Sequence, residues 1–521
     1  MHRLVIALVT LLGLTAAVVV ASYVFLFSAG SDRAARLAPA DTAFYVNVYL
    51  QPSAGQQMNL SELIGRFPGF ADDATLDDKV DQIVQNLLAD AGIDYREQVK
   101  PWLGNQVAIA ARPDGADPAD AQPVIIAEVK DREAAAAAIA DLAAEGGTFT
   151  ARSYEGFEIQ VSDETAYAFV DDMLAIGPNA EAIEGVIDVS LGGDALADRD
   201  DFRRTMAEMP ADHLAAAFVD ISAIAGAVEA EGQLEAVTTA GAVLVAEADG
   251  LRLSGSAPFA MEGAGESARA GFALGGEPSS LVDWMPGDTI AEVVVFGLRQ
   301  TLEDAEAAAA GTPEGEELTS AIDTIRAISA FALGIDIDAD LLPLLDREVG
   351  IALSGFEGEL PSGQILLRPE DPAAAEASLA NIAERLAGVG AETTTEEVAG
   401  VTVTVVSMPD VGDLAYTVTN GIVVIGLGRD AVVAAVEAHD AGTSLGQSEA
   451  YRRTFDVAGT RAGNEAWVDV GAMIELLGPI ELDDDARDIL GQIGTFGLTA
   501  PSRDDQIEFH AVLTVEETQP D

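Results

Sequence analysis

The sequence contains no cysteine, four histidines and little positive charge. Without cysteine the chain cannot form disulfides, thiolate metal sites, a thiol nucleophile or a lipid-modified N-terminal cysteine. The 27 Lys and Arg residues stand against 88 Asp and Glu, which gives a formal net charge of −61 and a pI near 4.1. Nucleic-acid binding needs basic surfaces that neutralise phosphates, so we expect no nucleic-acid partner.

Lysine is almost absent, and two explanations fit its scarcity. The lysines are Lys79, Lys100 and Lys130, so 27 − 3 = 24 of the basic residues are arginine. A GC-rich genome favours Arg, Ala, Gly and Asp codons. Adaptation to salt is the alternative, because dense carboxylates keep a surface hydrated while salt screens their repulsion.

A long uncharged segment lies at the N-terminus. The 24 residues from Leu4 to Phe27 carry no charge, and as a helix they would be about 36 Å long, enough to cross a bilayer core of about 30 Å. A cleavable signal peptide has an apolar region of only about 7–15 residues, so a retained anchor is favoured, although the small residues Ser28-Ala29-Gly30 leave cleavage open. We predict a single-pass anchor within residues 1–35, with the N-terminus cytoplasmic and the body extracytoplasmic.

The remainder of the chain shows internal similarity. AYAFVDDMLAIG begins at Ala166 and AYTVTNGIVVIG at Ala415, a displacement of 415 − 166 = 249, and the same displacement carries DFRRTM at Asp201 onto AYRRTF at Ala450. The pattern predicts repeat one at 36–263, a Gly/Ser-rich join at 264–279, repeat two at 280–517 and a tail at 518–521.

Short apolar runs and helical periodicities alternate within each predicted repeat. Phe157 to Val161 is typical of a strand, whereas Leu76 to Ala91 and Arg132 to Ala144 have apolar residues three or four apart, as in helices. Because the runs are uneven and include hairpin-like strand pairs, we predict an α+β fold. It would consist of two homologous repeats, each a largely antiparallel sheet with packed helices, after an N-terminal transmembrane helix.

Several motifs, taken in order, resemble one known family. They are a Pro-x-Asp-Thr opening at Pro39 and again at Pro286, WLGNQVAIA from Trp102, Tyr154-Glu155-Gly156-Phe157, and the AYAFVDDMLAIG block. Together they resemble the bacterial family known as domain of unknown function 3352, over nearly the whole chain after the predicted anchor. The second half departs from the family at Asp346-Arg347-Glu348, where a glycine is missing. The resemblance implies an exported, usually membrane-attached protein with no assigned activity or catalytic residues.

No motif in the sequence predicts catalysis, a cofactor or a metal site. Asp336-x-Asp338-x-Asp340 suggests calcium, but an EF-hand needs Gly and Glu where Leu341 and Arg347 stand, so we interpret this run as a turn with helix-capping carboxylates. Ser444 lies within a G-x-S-x-G pattern that follows a helix instead of a strand, so the nucleophile elbow is missing.

Arginine pairs stand out because cations are scarce in this chain. Arg203-Arg204 and Arg452-Arg453 occupy matching positions in the two predicted repeats. One interpretation is a salt bridge to neighbouring carboxylates. The other is contact with an anion or a partner, which makes these four residues the candidate binding site.

The leading functional hypothesis is a non-enzymatic, membrane-anchored, extracytoplasmic envelope protein that binds or scaffolds other envelope components. The alternative is a carrier or shield for a hydrophobic ligand such as lipid, and the second alternative is an unrecognised enzyme. The expected partners are the membrane, through the N-terminal helix, and envelope proteins or lipid. The sequence leaves the oligomeric state open.

If the acidity reflects salt adaptation, thermal stability should rise between low and molar salt, because screening weakens repulsion among the carboxylates. Thermal unfolding of the purified protein across that range measures the effect. A midpoint that stays constant or falls would leave genome composition as the explanation.

Overall fold

The structure is a computed structural model of the chain. It describes residues 32–516 except 52, 68–74, 90–92, 114–120, 145–147, 164, 226–236, 263–265, 310–319, 321, 325, 328, 358–359, 409–411 and 478–489. The predicted transmembrane segment, Leu4 to Phe27, lies outside the described residues. Among the residues described, no helix has the length and apolar character needed to cross a membrane.

Hydrogen bonding links the 21 strands of the described chain into one antiparallel sheet, against which helices pack. The predicted α+β fold of two homologous repeats, each with its own largely antiparallel sheet, is therefore wrong. The strand at the edge of a sheet has backbone N–H and C=O groups without partners. These groups form hydrogen bonds with another strand when one lies beside them, and the sheet then continues. Similarity between two sequence segments cannot reveal that continuation.

The strands are short and rich in β-branched residues. They are β1 Phe44–Tyr49, β2 Leu103–Arg112, β3 Gln122–Val129, β4 Thr150–Tyr154, β5 Phe157–Val161, β6 Ala166–Val170, β7 Met173–Gly177, β8 Ala215–Asp220, β9 Thr239–Glu247, β10 Gly250–Pro258, β11 Ala291–Phe296, β12 Glu348–Glu357, β13 Leu360–Arg368, β14 Glu392–Val398, β15 Val401–Met408, β16 Gly412–Thr419, β17 Ile422–Leu427, β18 Asn464–Asp469, β19 Ile493–Ala500, β20 Ser502–Arg503 and β21 Gln506–Val515.

The α-helices alternate with groups of strands along the chain. They are α1 Ala54–Gly65, α2 Leu76–Ala89, α3 Arg132–Ala144, α4 Ala180–Ser190, α5 Asp200–Ala207, α6 Ile221–Ala225, α7 Glu266–Leu274, α8 Leu298–Ala309, α9 Pro372–Gly388, α10 Arg429–Ala441, α11 Glu449–Ala458 and α12 Val470–Leu477.

By packing, the chain divides into two compact units, the first running to Gly263 and the second from Ala264 to Glu516. In the first unit the strand order is β10-β9-β8-β1-β2-β3-β7-β6-β5-β4. Its main core places Ile183 and Ile187 of α4 in one buried cluster with Ile126 and Phe218. The apolar face of α4, with residues three or four apart, is thus removed from water.

In the second unit the strand order is β20-β21-β19-β18-β11-β12-β13-β17-β16-β15-β14. Tyr451 of α11 and Val432 of α10 belong to the core cluster on one face, together with Val294 and Trp467. A second cluster includes Leu379 of α9 and apolar residues of β13 and β17. Helices therefore pack on both faces of this part of the sheet, and on the second face α9 covers residues of β13 and β17.

Aspartate side chains lie at the N-termini of several helices. Asp371 Oδ1 accepts hydrogen bonds from the backbone N–H groups of Ala373 and Ala374 at 3.0 Å. Asp469, at the end of β18, accepts one from the N–H of Ala472 at 2.8 Å and so starts α12. These carboxylates satisfy N–H groups that lack partners within the helix and lie at the positive end of its dipole.

Gly463, directly before β18, has a backbone conformation that other residues rarely adopt. Its φ is +72°, and an added Cβ would overlap the carbonyl oxygen of Ala500 and lie 2.8 Å from that of Gly275. Because Gly463 has no side chain, the loop after α11 can pass close to these two carbonyl groups and continue into β18.

Replacing Gly463 with alanine should destabilise the second unit by about 3 kcal/mol, because backbone strain and backbone overlap add. Gly400→Ala is the matched control, since Gly400 also has a positive φ but open space around its Cβ position. The control should lose only about 1 kcal/mol. Urea unfolding measures both, and equal losses would show that overlap at Gly463 has no cost.

Candidate functional site

The four arginines predicted from the sequence have different surroundings. Arg203 forms an exposed ion pair with Asp200, and Arg204 is exposed on the same helix, α5. On α11, Arg453 Nη2 lies 3.4 Å from Glu516 Oε1. Arg452 is exposed, and its Nε donates to the carbonyl oxygen of Ser448 at 3.4 Å. The ion pairs of Arg203 and Arg453 agree with the interpretation of these arginines as salt-bridge partners of nearby carboxylates. Arg452, in contrast, borders a cleft.

The three carboxylates of the Asp336 to Asp340 run have separate roles. Asp336 caps the next turn by accepting from the N–H groups of Asp338 and Ala339 at 3.1 Å. Asp338 lies 3.0 Å from Arg326 Nη2, and Asp340 pairs with Arg385. Capping and ion pairing therefore engage this run.

Two of the histidines, and Ser444 of the G-x-S-x-G pattern, also contact neighbouring groups. His439 stacks on Trp284 with ring centroids 3.7 Å apart, and His213 Nδ1 lies 2.7 Å from the carbonyl oxygen of Pro210. Ser444 is buried, and its backbone pairs with that of Pro286.

Two glutamates lie inside the apolar core of the second unit. Glu292 of β11 and Glu465 of β18 are 1% and 2% exposed. In the register of these strands Glu465 is opposite Val294, two residues along from Glu292, so both carboxyls project from the same face of the sheet. We call Glu292 and Glu465 the buried carboxyl pair.

The buried carboxyl pair has few hydrogen-bond partners. Glu465 Oε1 accepts a hydrogen bond from the Tyr451 hydroxyl at 2.9 Å. Glu465 Oε2 and both carboxyl oxygens of Glu292 have no partner in the described part of the chain. A buried ionised carboxylate without partners carries a large desolvation cost, so the neutral acid is the stable form.

The pKa values of the pair follow from this environment. Burial raises the pKa of Glu465 to about 7, against the smaller opposing effects of the Arg461 charge and the Tyr451 hydrogen bond. Burial also raises the pKa of Glu292 well above its usual value, and the neighbouring Glu465 adds to the shift. Near neutral pH the core therefore holds at least one proton on this pair.

Glu348, another buried glutamate, is solvated by the protein instead. It accepts hydrogen bonds from the Ser279 hydroxyl at 2.7 Å and the Ser280 N–H at 3.0 Å, and its Oε2 lies 2.6 Å from Arg368 Nε. Ion pairing and hydrogen bonds compensate a buried charge, so Glu348 has a structural role that the buried carboxyl pair lacks.

A cleft of about 400 Å³ lies beside Tyr451. It is lined by Tyr451, Arg452, Phe455, Asp456, Gly459, Thr460 and Arg461. The Arg461 guanidinium lies 5.7 Å from the centre of the Tyr451 ring, and its Nη2 donates to the carbonyl oxygen of Ser279 at 3.3 Å. We call this the arginine cleft. It adjoins the buried carboxyl pair through Tyr451.

The opposite face of the same strands carries exposed apolar side chains. Residues that lie opposite each other on neighbouring strands form a continuous row across β19, β18, β11, β12 and β13. The row consists of Leu498, Ala466, Val293, Ile351 and Ile365, in that order. A neighbouring row runs Phe496, Val468, Ala291, Leu353. Val293, Ile351, Ile365, Phe496 and Leu498 are between 37% and 54% exposed, and we call them the open apolar face.

Sequence reasoning missed the buried carboxyl pair, Tyr451 and Arg461. The available signal is one glutamate within an apolar strand, AEVVVF around Glu292 and EAWVDV around Glu465. Successive side chains of a strand point to opposite faces of the sheet, so each glutamate can face the core only if its neighbours along the strand face outward. The local sequence does not show which of the two faces is buried.

Comparisons with known proteins give a family without an assigned function. A family model described as "Protein of unknown function (DUF3352)" matches residues 4–514. No curated protein matches the chain. The solved structure of crystal form III of TP0453 is 9% identical and covers 48% of this chain and 90% of that chain, with a TM-score of 0.26. Crystal form IV is 10% identical and covers 43% and 79%, with a TM-score of 0.25. Such scores support no inference about this chain.

The buried carboxyl pair should make stability depend on pH. The pKa of Glu465 is about 7 in the folded state and near 4.5 in the unfolded state. Its contribution to the unfolding free energy is therefore complete below about pH 4.5 and is lost as the pH rises through about 7. We expect the unfolding free energy to fall between about pH 5.5 and about pH 8.5, with Glu465 contributing about 2 kcal/mol of that loss.

Urea unfolding at both pH values, in high salt to screen surface charge, measures this dependence. Glu465→Gln, which keeps an acceptor for Tyr451, should remove much of the loss. Glu475→Gln is the control, because Glu475 is exposed on α12. Equal pH slopes for the two variants would contradict the assignment.

Proposed function

We propose that this chain, which belongs to the DUF3352 family of proteins of unknown function, is a non-enzymatic protein that binds other components of the cell envelope. The open apolar face carries the proposal. The uncharged sequence from Leu4 to Phe27 supports a location at the membrane, with the acidic body on the extracytoplasmic side.

The open apolar face has the features of a binding surface. Apolar side chains at every position of two adjacent rows form a contiguous patch, whereas single exposed apolar residues are ordinary. Exposing such a patch to water is unfavourable, and covering it gains roughly 25 cal/mol for each Å² of apolar area removed from water. The backbone of this face is already ordered by the hydrogen bonds between its strands, so little ordering entropy opposes binding.

Charge decides which partner suits this face. The rows contain no charged or polar side chain, while the chain as a whole carries −61. A second copy would bring the same net charge, and the two would repel. The partner is therefore an apolar surface of a different envelope protein that does not carry a large negative charge.

A hydrophobic ligand such as lipid is the second candidate. The same observation favours it, because acyl chains bury apolar surface without needing hydrogen bonds. An exposed sheet face gives a lipid only one wall, whereas ligand sites usually enclose most of the ligand surface. We therefore rank protein binding first.

A photo-crosslinking amino acid at Ile351, at the centre of the face, should give one discrete adduct with another envelope protein in intact cells. Val389 is the matched control position, because it is 57% exposed and lies outside both rows. Mass spectrometry identifies the adduct, and the purified partner should bind the purified full chain at least about tenfold more weakly after Ile351→Lys.

Other adducts separate the alternatives. Crosslinking to lipid would replace protein binding with the carrier function, and crosslinking to a second copy would show self-association. Equal adducts from Ile351 and Val389, or unchanged affinity after Ile351→Lys, would refute the role of the open apolar face.

A further inference from the structure

The arginine cleft lies on the core side of the second unit's sheet and plays no part in the proposed envelope binding. It is formed by one side of α11, from Tyr451 onward, and by the loop that leads to Gly463. Its volume of about 400 Å³ lies within the range of small-molecule sites. Fully buried Tyr451 and nearly buried Phe455 give it a rigid aromatic base.

The two arginines of the cleft lack acidic partners. Most arginines of the described chain pair with a carboxylate, as expected where acids outnumber bases threefold. Among the residues described, neither Arg452 nor Arg461 lies within 4.0 Å of a carboxylate, and each makes one hydrogen bond, to a backbone carbonyl. A guanidinium has five N–H donors, so most donors of both remain for a ligand.

A negative charge also faces the cleft. Asp456 lies one helical turn after Arg452 on α11, at a spacing that places both side chains on the same side of the helix. In the described chain its carboxylate forms no ion pair with Arg452. The cleft therefore presents two positive groups and one negative group, unpaired with each other.

We propose that the arginine cleft binds a small zwitterionic ligand. Its oxyanion group, a carboxylate or a phosphate, binds Arg452 and Arg461, and its ammonium group binds Asp456. Guanidinium groups recognise both kinds of oxyanion through charge-assisted hydrogen bonds. Free amino acids share this chemistry with the phosphoethanolamine headgroup of lipids.

The net charge of the chain favours a zwitterion over an ion of either sign. A net charge of −61 repels a simple anion before it reaches the cleft. A simple cation is attracted to carboxylates over the whole surface and is repelled by the two arginines. A net-neutral ligand escapes the long-range repulsion and still uses the local charges, whose effect extends about 10 Å at moderate salt.

The cleft is connected to the buried carboxyl pair. Tyr451 lines the cleft and donates to Glu465, and the Arg461 charge stabilises ionised Glu465. Glu292, Glu348 and Ser279 also act on Glu465 from the other elements around it. A ligand oxyanion on Arg461 weakens that support, so binding and protonation of Glu465 reinforce each other. Affinity should therefore fall as pH rises through about 7.

Equilibrium dialysis of the full chain with radiolabelled leucine and with phosphoethanolamine tests the proposal. We expect saturable binding of one or both at up to millimolar concentration. Tighter leucine binding assigns the site to free amino acids, and tighter phosphoethanolamine binding assigns it to the lipid headgroup. Acetate and methylammonium, which carry one charge each, should bind at least about tenfold more weakly.

Variants test the named contacts. Arg452→Gln, Arg461→Lys and Asp456→Asn should each weaken binding about tenfold, because each removes charge-assisted or bidentate contacts. Arg203→Gln is the control, since Arg203 is also exposed on a helix but lies in the first unit. Glu465→Gln should keep affinity and remove its pH dependence.

Four results would overturn the proposal. They are the absence of saturation with either zwitterion, acetate binding as tight as that of the better-bound zwitterion, affinity unchanged in Arg452→Gln and Arg461→Lys, and affinity unchanged in Asp456→Asn. Circular dichroism of each variant shows that it is folded, so lost binding cannot be ascribed to unfolding.

Discussion

The alternation of side chains along β11, fixed by its hydrogen bonds to β12 and β18, determines the main features of the second unit. One set of residues, Glu292 and Val294, projects into the helical core, and Val293 between them projects to the opposite face. The buried carboxyl pair and the open apolar face are thus two sides of the same strands. A shift of one residue in register would exchange them.

Charge is distributed unevenly in this very acidic protein. Most arginines form local ion pairs at the surface, whereas the core contains carboxyls that burial holds in the neutral form. Glu348 shows that the fold can stabilise a buried carboxylate when it supplies hydroxyl and amide donors and an ion pair with a guanidinium group. The lack of such donors around Glu292 is thus specific to its position. It makes proton binding part of the stability of the fold.

Local features were predictable from the sequence, and non-local ones were not. Helix Arg132–Ala144 and strand Phe157–Val161 have the predicted bounds, because residue periodicity acts within one element. The continuous sheet was missed because strand edges pair through backbone groups that have no sequence signature. The proximity of Glu292 to Glu465 and of Arg461 to Tyr451 likewise depends on register and loop path. Of the four arginines that the sequence analysis singled out because cations are scarce, only Arg452 lines the arginine cleft.

Trp467 lies directly opposite Glu292 in the register of β11 and β18. Its indole N–H donates to Thr454 Oγ1 at 3.1 Å, and its ring lies 5.9 Å from that of Tyr451. The emission of a buried indole responds to charge appearing nearby, since its excited state has a larger dipole than its ground state. Trp467, one of three tryptophans in the chain, is therefore an intrinsic fluorophore placed beside the buried carboxyl pair, where the charge of that pair acts on its emission.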